Sequence, residues 1–185
     1  MNLNKFVFEL LEQSYLNKAK LASLKRKWAK EFGTMIKSSD LNIAYQKLVK
    51  SKIIIRNIKL ENLLQLKKIR SLSGIVPVAV LTKPYPCPGK CIYCPTQKNM
   101  PKSYLDDEPA VMRAMQANFD PYLQVKDRLR QLKNTGHNID KIELIVMGGC
   151  FTSLPRNYQI EFFSKCFLAC NNSSLNPKIP PLSLR

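Results

Sequence analysis

Two strand-length apolar runs, "IVPVAVLT" (75–82) and "KIELIVM" (141–147), constrain the fold of this chain more than any other feature. The first is short, β-branched and apolar at consecutive positions, not at alternate ones. That pattern belongs to strands buried on both faces, as in parallel sheets. The segment between the runs reads as helix. "DDEPAVMRAMQANF" sets acidic residues and Pro109 where a helix would begin. "DPYLQVKDRLRQL" repeats the device with Asp120 and Pro121, places Tyr122, Val125, Leu129 and Leu132 on one face, and sends Lys126, Arg128, Arg130 and Lys133 elsewhere. Gly136 ends that helix, and "RNYQIEFFSKCFLAC" supplies another after the second run. The order from residue 75 onward is strand, loop, helix, strand, helix, which predicts an α/β parallel sheet.

Residues 1 to about 70 have a different character. "KFVFELLEQSYLNKAKLASLKRKWAKEF" is proline-free and reads as helical; "SSDLNIAYQKLVKSK" opens on serine and aspartate capping candidates and spaces Leu41, Tyr45 and Leu48 at helical intervals. Sixteen Lys or Arg against five Asp or Glu give this region a net +11, out of +17 for the 185-residue chain. Such a surplus points to a polyanionic partner. Lys18, Lys20, Lys25, Arg26, Lys27 and Lys30 are the candidate contacts to an RNA backbone, with a merely solvated helix face as the alternative. Trp28 reads as packing rather than as a base-stacking platform. The apolar runs are too short to cross a bilayer, and "MNLNKFVFELLEQ" does not read as a secretion leader, so a cytoplasmic location is expected, without membrane. The expected organisation is a basic helical region over 1–70, an α/β domain over 71–170, and a disordered Asn-, Ser- and Pro-rich tail over 171–185.

Between the first strand and the next helix lies a loop of about two dozen residues, long enough to be functional. It holds "PYPCPGKCIYCPT" (84–96), in which Cys87, Cys91 and Cys94 are spaced C-x3-C-x2-C among Pro84, Pro86, Pro88 and Pro95. In a reducing compartment such thiols are metal ligands or catalytic groups rather than disulfides. Structural zinc usually takes four protein ligands, and the other candidates (His137, Cys150, Cys166, Cys170) are distant in sequence. A four-iron cluster can be held by three thiolates from one loop, leaving one iron open. A cluster, zinc and unliganded thiols are the three readings, with the cluster best matched. The spacing, with Tyr93 just before the last cysteine and a strand just before the loop, is similar to that of radical S-adenosylmethionine enzymes. Gly148-Gly149, ending the second strand, would let a ligand approach the backbone closely; a tight turn is the plainer reading.

The stretches "RSLSGIVPVAVLTKPYPCPGKCIYCPT", "PKSYLDDEPAVMRAMQANFDPYLQVKDRLRQL" and "GHNIDKIELIVMGGCF" resemble the Elongator catalytic subunit and its bacterial and archaeal single-chain relatives, over about residues 1 to 165. The resemblance implies a radical S-adenosylmethionine enzyme that attaches an acetyl-derived carboxymethyl group to carbon 5 of the wobble uridine of tRNA. It implies that Cys87, Cys91 and Cys94 bind a 4Fe-4S cluster, and that Tyr93, Gly148 and Gly149 lie at the S-adenosylmethionine site. It further implies that Lys141 is associated with acetyl-CoA and that the N-terminal region holds tRNA. An adenosyl radical would take hydrogen from the acetyl methyl, and the resulting carbon radical would add to the uridine ring. Two local departures leave every ligand in place: the commoner motif has a longer gap with a histidine between the first two cysteines, and Cys150 stands where threonine is frequent. A third is larger. The family continues into further barrel units and an acetyltransferase domain, so the expectation here is an incomplete (β/α) barrel, either truncated or completed by a second copy or a partner chain, and lacking acetyl-CoA hydrolysis by itself; a non-catalytic RNA-binding fragment and a zinc-binding nucleic-acid module are the alternative readings. The remaining residues read plainly: His137 as a post-helix turn residue, Cys166 and Cys170 as buried thiols.

Overall fold

A computed structural model describes residues 3–173. Its chain divides into two compact units, Met1–Leu72 with Leu132–Asn138, and Ser73–Gln131 with Ile139–Arg185. Of the tail expected to be disordered over 171–185, residues 171–173 form the end of a helix, and the rest, from 174 onward, lies outside the described residues.

The first unit is helical: α1 (Leu3–Leu11), α2 (Lys18–Phe32), α3 (Ser38–Lys50) and α4 (Ile58–Leu64). The proline-free stretch forms two helices. Asn17 accepts a hydrogen bond from Lys20 N at 2.8 Å and starts α2 afresh, and Gly33 at φ 71° ends it. At the start of α3 the expected serine and aspartate cap is absent. Lys37 occupies the cap position without a side-chain bond, and Asp40 sits in the first turn, where its charge suits the helix N-terminus. The core gathers Phe6, Leu10, Trp28, Leu41, Tyr45 and Leu64. Trp28 stacks with both Phe6 and Phe32 at centroid distances of 4.9 Å, and its indole N–H donates to Glu9, so it packs as expected.

The second unit is built on β1 (Val76–Leu81) and β2 (Ile142–Met147), paired in parallel from Val76↔Ile142 to Leu81↔Met147. Between them come α5 (Pro109–Gln116) and α6 (Pro121–Asn134), and α7 (Arg156–Ser173) follows β2. The α/β class is observed; among the described residues the sheet has two strands. Pro109 takes the first position of α5, and Asp120 accepts from Leu123 N at 2.9 Å to cap α6.

Two details position the sheet. Val76 N and Thr82 N both bond to the β2 side, at Lys141 O and Met147 O. Backbone direction alternates along a strand, so Pro77, Ala79 and Leu81 turn their backbones to the other edge, where a proline costs no ladder bond. There Gln124 does the work of a strand. Its amide accepts from Leu81 N and donates to Leu81 O, both at 2.9 Å. Gln124 is therefore on the buried face of α6 with Val125, Leu129 and Leu132, whereas Tyr122, assigned to that face from its spacing, is only half-buried.

Candidate functional site

Parallel pairing in register brings the ends of both strands to one edge. Leu81 runs into the 82–108 loop and Met147 into Gly148-Gly149-Cys150, side by side. This is the edge at which parallel α/β sheets bind ligands. The base of the loop is anchored by Met100 and Tyr104, packed against Leu81, Val111 and Ala114. The middle is held by turns: Cys94 N bonds Cys91 O at 3.2 Å and Ser103 N bonds Pro95 O at 3.2 Å.

The three loop cysteines are free thiols, Cys91 exposed and Cys87 and Cys94 half-buried. A methyl group on Gly89 would lie 3.5 Å from Cys87 Sγ and 3.7 Å from Cys91 Sγ, so these two sulfurs flank one small residue. Cys94 Sγ lies 2.9 Å from Ser103 Oγ. Tyr93 is 84% exposed, and the Cys91 thiol hydrogen-bonded to its hydroxyl pushes the phenol above its ordinary pKa.

The double glycine meets the loop. A methyl on Gly149 would be 3.5 Å from Cys87 Cβ and 3.6 Å from Cys87 Sγ, so the backbone there runs alongside the first cysteine. Gly148 is fixed by a different neighbour: its φ is 130°, and a Cβ would stand 2.1 Å from Thr82 Oγ1. Thr82, Lys83, Cys87, Lys102, Gly149 and Cys150 share a crevice of about 10 Å³, room for about one water molecule. Hydrogen bonds involving Thr152 and then Ser153 hold the exposed Cys150 thiol below its ordinary pKa. Lys83 is placed by aromatic rings, its ammonium 4.8 Å from the Tyr158 ring centre and 5.9 Å from that of Tyr85.

Three accessible thiols on one loop are the right donors for three corners of an iron–sulfur cluster, in which each thiolate binds a different iron. Among the described residues no three His, Cys, Asp or Glu side chains converge as the ligands of a single ion would. A cubane spreads its thiolates over separate corners, so the donor set fits that group in number and chemistry.

Not every expected site residue joins this edge. Lys141 is exposed at the start of β2, and six residues of strand place it about 20 Å from the double glycine. On α2, Lys18, Lys20, Arg26, Lys27 and Lys30 are exposed, but Lys27 pairs with Glu9 at 3.5 Å. Lys25 is half-buried against Ser38 Oγ at 2.5 Å, and burial lowers its pKa. His137 is buried after α6, its Nδ1 2.7 Å from Ser71 Oγ. Cys166 is buried and Cys170 half-buried. Sequence reasoning passed over Thr82 and Lys83; the signal was a hydroxyl and a cation directly after a buried strand and before the cysteine loop.

No family model matches the chain. Individual relatives do. It is 51% identical over 107 residues to a tRNA uridine(34) acetyltransferase of Dehalococcoides mccartyi, covering 57% of this chain and 23% of that protein. A Methanocaldococcus infernus protein of the same name is 47% identical over 115 residues, 59% of this chain and 22% of that one. Elongator complex protein 3 of Bos taurus is 42% identical over 124 residues, 61% of this chain and 23% of that one. Over the matched residues the chain is similar to the Elongator catalytic subunit and its single-chain relatives. It matches under a quarter of the length of these Elongator relatives. What the rest of such a protein binds or catalyses is not carried by the matched part.

Proposed function

We propose that this chain supplies the RNA-holding region and the opening βα units of a radical S-adenosylmethionine enzyme. That enzyme modifies carbon 5 of uridine 34 in tRNA, with acetyl-CoA as the source of the transferred carbons. The observation that carries the reading is a conjunction: relatives named for tRNA uridine(34) acetylation, and three free cysteines on one loop at the ends of the strands, the first of them beside Gly149. Cys87, Cys91 and Cys94 would hold the cluster. When bound, it supplies the single electron that cleaves S-adenosylmethionine to an adenosyl radical. Tyr93, exposed and hydrogen-bonded to the Cys91 thiol, stands between two of the ligands in the sequence. Gly149, lacking a side chain, leaves its backbone open to the amino acid end of the cofactor. Lys83, held between Tyr85 and Tyr158, presents a positive charge suited to a carboxylate at the same crevice. The exposed cations of α2 neutralise RNA phosphates, which positions the substrate without reading its sequence. Lys141, at the opposite edge of the sheet, is the candidate contact to acetyl-CoA, and the site of action is cytoplasmic.

Anaerobic reconstitution tests this. Iron and acid-labile sulfide should each reach about four per chain and fall sharply in Cys91→Ala. Zinc without sulfide would overturn the radical chemistry for this chain.

A further inference from the structure

We infer that the first unit carries a second RNA contact, a pocket that takes one nucleotide by its phosphate; this rests on the tRNA reading above. The pocket has a volume of about 660 Å³, within the range that holds small ligands, and is open to solvent on one side. Asn42, Gln46, Lys47 and Lys50 of α3 form one wall, and Lys133 and Asn134 at the end of α6 form another. Both walls belong to the same compact unit. They are tied together by the buried Asn42 amide, which donates to Lys133 O at 3.4 Å and Asn134 O at 3.1 Å.

Charge decides what such a pocket accepts. Its acid, Glu61, is already held by Arg56 through hydrogen bonds of 2.9 and 3.0 Å. Lys47, Lys50 and Lys133 make no ion pair among the described residues. All three sit in the last turns of α3 and α6, where cations also serve to offset helix dipoles. Two helix C-termini carry about −0.5 each, against three ammonium groups, which leaves about two positive charges uncompensated. A phosphodiester carries one negative charge. The side-chain amides of Gln46 and Asn134 make no hydrogen bond among the described residues and offer donors and acceptors to a base edge or a 2′-hydroxyl. A net +11 over residues 1–70 favours a polyanion over a free nucleotide as the occupant.

The test uses the full chain and a fluorescent tRNA transcript, titrated over a range of salt concentrations. Two double variants are compared, Lys47→Gln with Lys133→Gln in the pocket and Lys20→Gln with Lys30→Gln on α2, each checked for native circular dichroism. The pocket variant should bind about tenfold or more weakly, with a salt slope shallower by about 0.7 to 1.8. On the unaltered chain, tRNA should shield Lys47 and Lys133 from amine acylation, which keeps the test open if the variant misfolds. Unchanged affinity in a folded pocket variant, with loss in the α2 variant, would overturn the pocket and leave the tRNA reading standing. No tRNA binding by the unaltered chain at low salt would overturn both. Shielding of Lys133 by 5′-AMP but not by tRNA would make the pocket a free-nucleotide site and overturn the inference.

Discussion

Gln124 shows how one side chain can stand in for a missing strand. Both polar atoms of its amide are used by Leu81, and the residue is 6% exposed, so its loss leaves a buried N–H and C=O without partners. Each such group costs about 1–3 kcal/mol, so Gln124→Met should lower unfolding stability by about 2–6 kcal/mol in urea titrations; a neutral result would mean water replaces the amide. No sequence pattern announces this role, because spacing reports which side of a helix faces inward but not which polar group finds a backbone there. Tyr122 shows the same limit: with Gln124 buried at one margin of the α6 stripe, Tyr122 falls at the opposite margin and is only half-buried. The cysteines of α7 were legible, since thiols among Phe162, Phe163 and Phe167 have little reason to be exposed. Burial, then the neighbouring Cys170, pushes Cys166 from 9.0 up to about 12, and burial pushes Cys170 up to about 11. The folded state then binds these protons more tightly than the unfolded one. Their contribution to stability is full below about pH 9 and is lost as pH climbs through 9 to 12. Cys166→Ala should flatten that alkaline decline in thermal midpoints measured from pH 8 to 11; an identical slope would place the sensitivity in other groups.

At the scale of elements, what the sequence made plain was periodicity, and what it hid was interruption. The two strands, α5 and α6 follow from apolar runs and proline-led starts, all local signals. The break before α2 depended on a single Asn17 hydrogen bond, and proline-free composition cannot reveal that. The cysteine loop was legible as a site, yet its contact with Gly149 required the parallel register that aligns Leu81 with Met147. Gly148 was read as a ligand-facing residue, whereas its nearest neighbour is Thr82, and this distinction can be measured. Gly148→Ala must adopt φ near 130° and displace Thr82 Oγ1, which stands 2.1 Å from the new carbon. The backbone term alone is of order 1–3 kcal/mol. Adding Thr82→Ala should recover the steric part and leave the backbone part, so the double variant should melt between Gly148→Ala and the parent. If the double variant regains full stability, backbone conformation is not what demands the glycine.

For the whole molecule, the question is whether ligand binding at the sheet edge is felt in the helical unit. Each unit has a core of its own, one around Tyr45 and Trp28 and one around Leu81 and Val111. Helix α6 is the exception: Val125 and Leu129 are buried in its second-unit portion, and its last turn belongs to the first unit. A ligand stabilises the structure that forms its site, by an amount set by its affinity for the folded form. The cysteines and the double glycine all lie in the second unit, so cluster assembly should act there first. The chain has one tryptophan, Trp28, which reports on the first unit, while exchange of the Val78 and Val80 amides reports on β1. After anaerobic loading with iron and sulfide, those β1 amides should exchange at least tenfold more slowly, an effect of about 1.4 kcal/mol. The Trp28 fluorescence transition should move by less. Equal shifts in both probes would mean that the chain unfolds as one cooperative unit. No change at β1 in a chain that has taken up iron would mean that the cluster is held by residues other than the three on the loop.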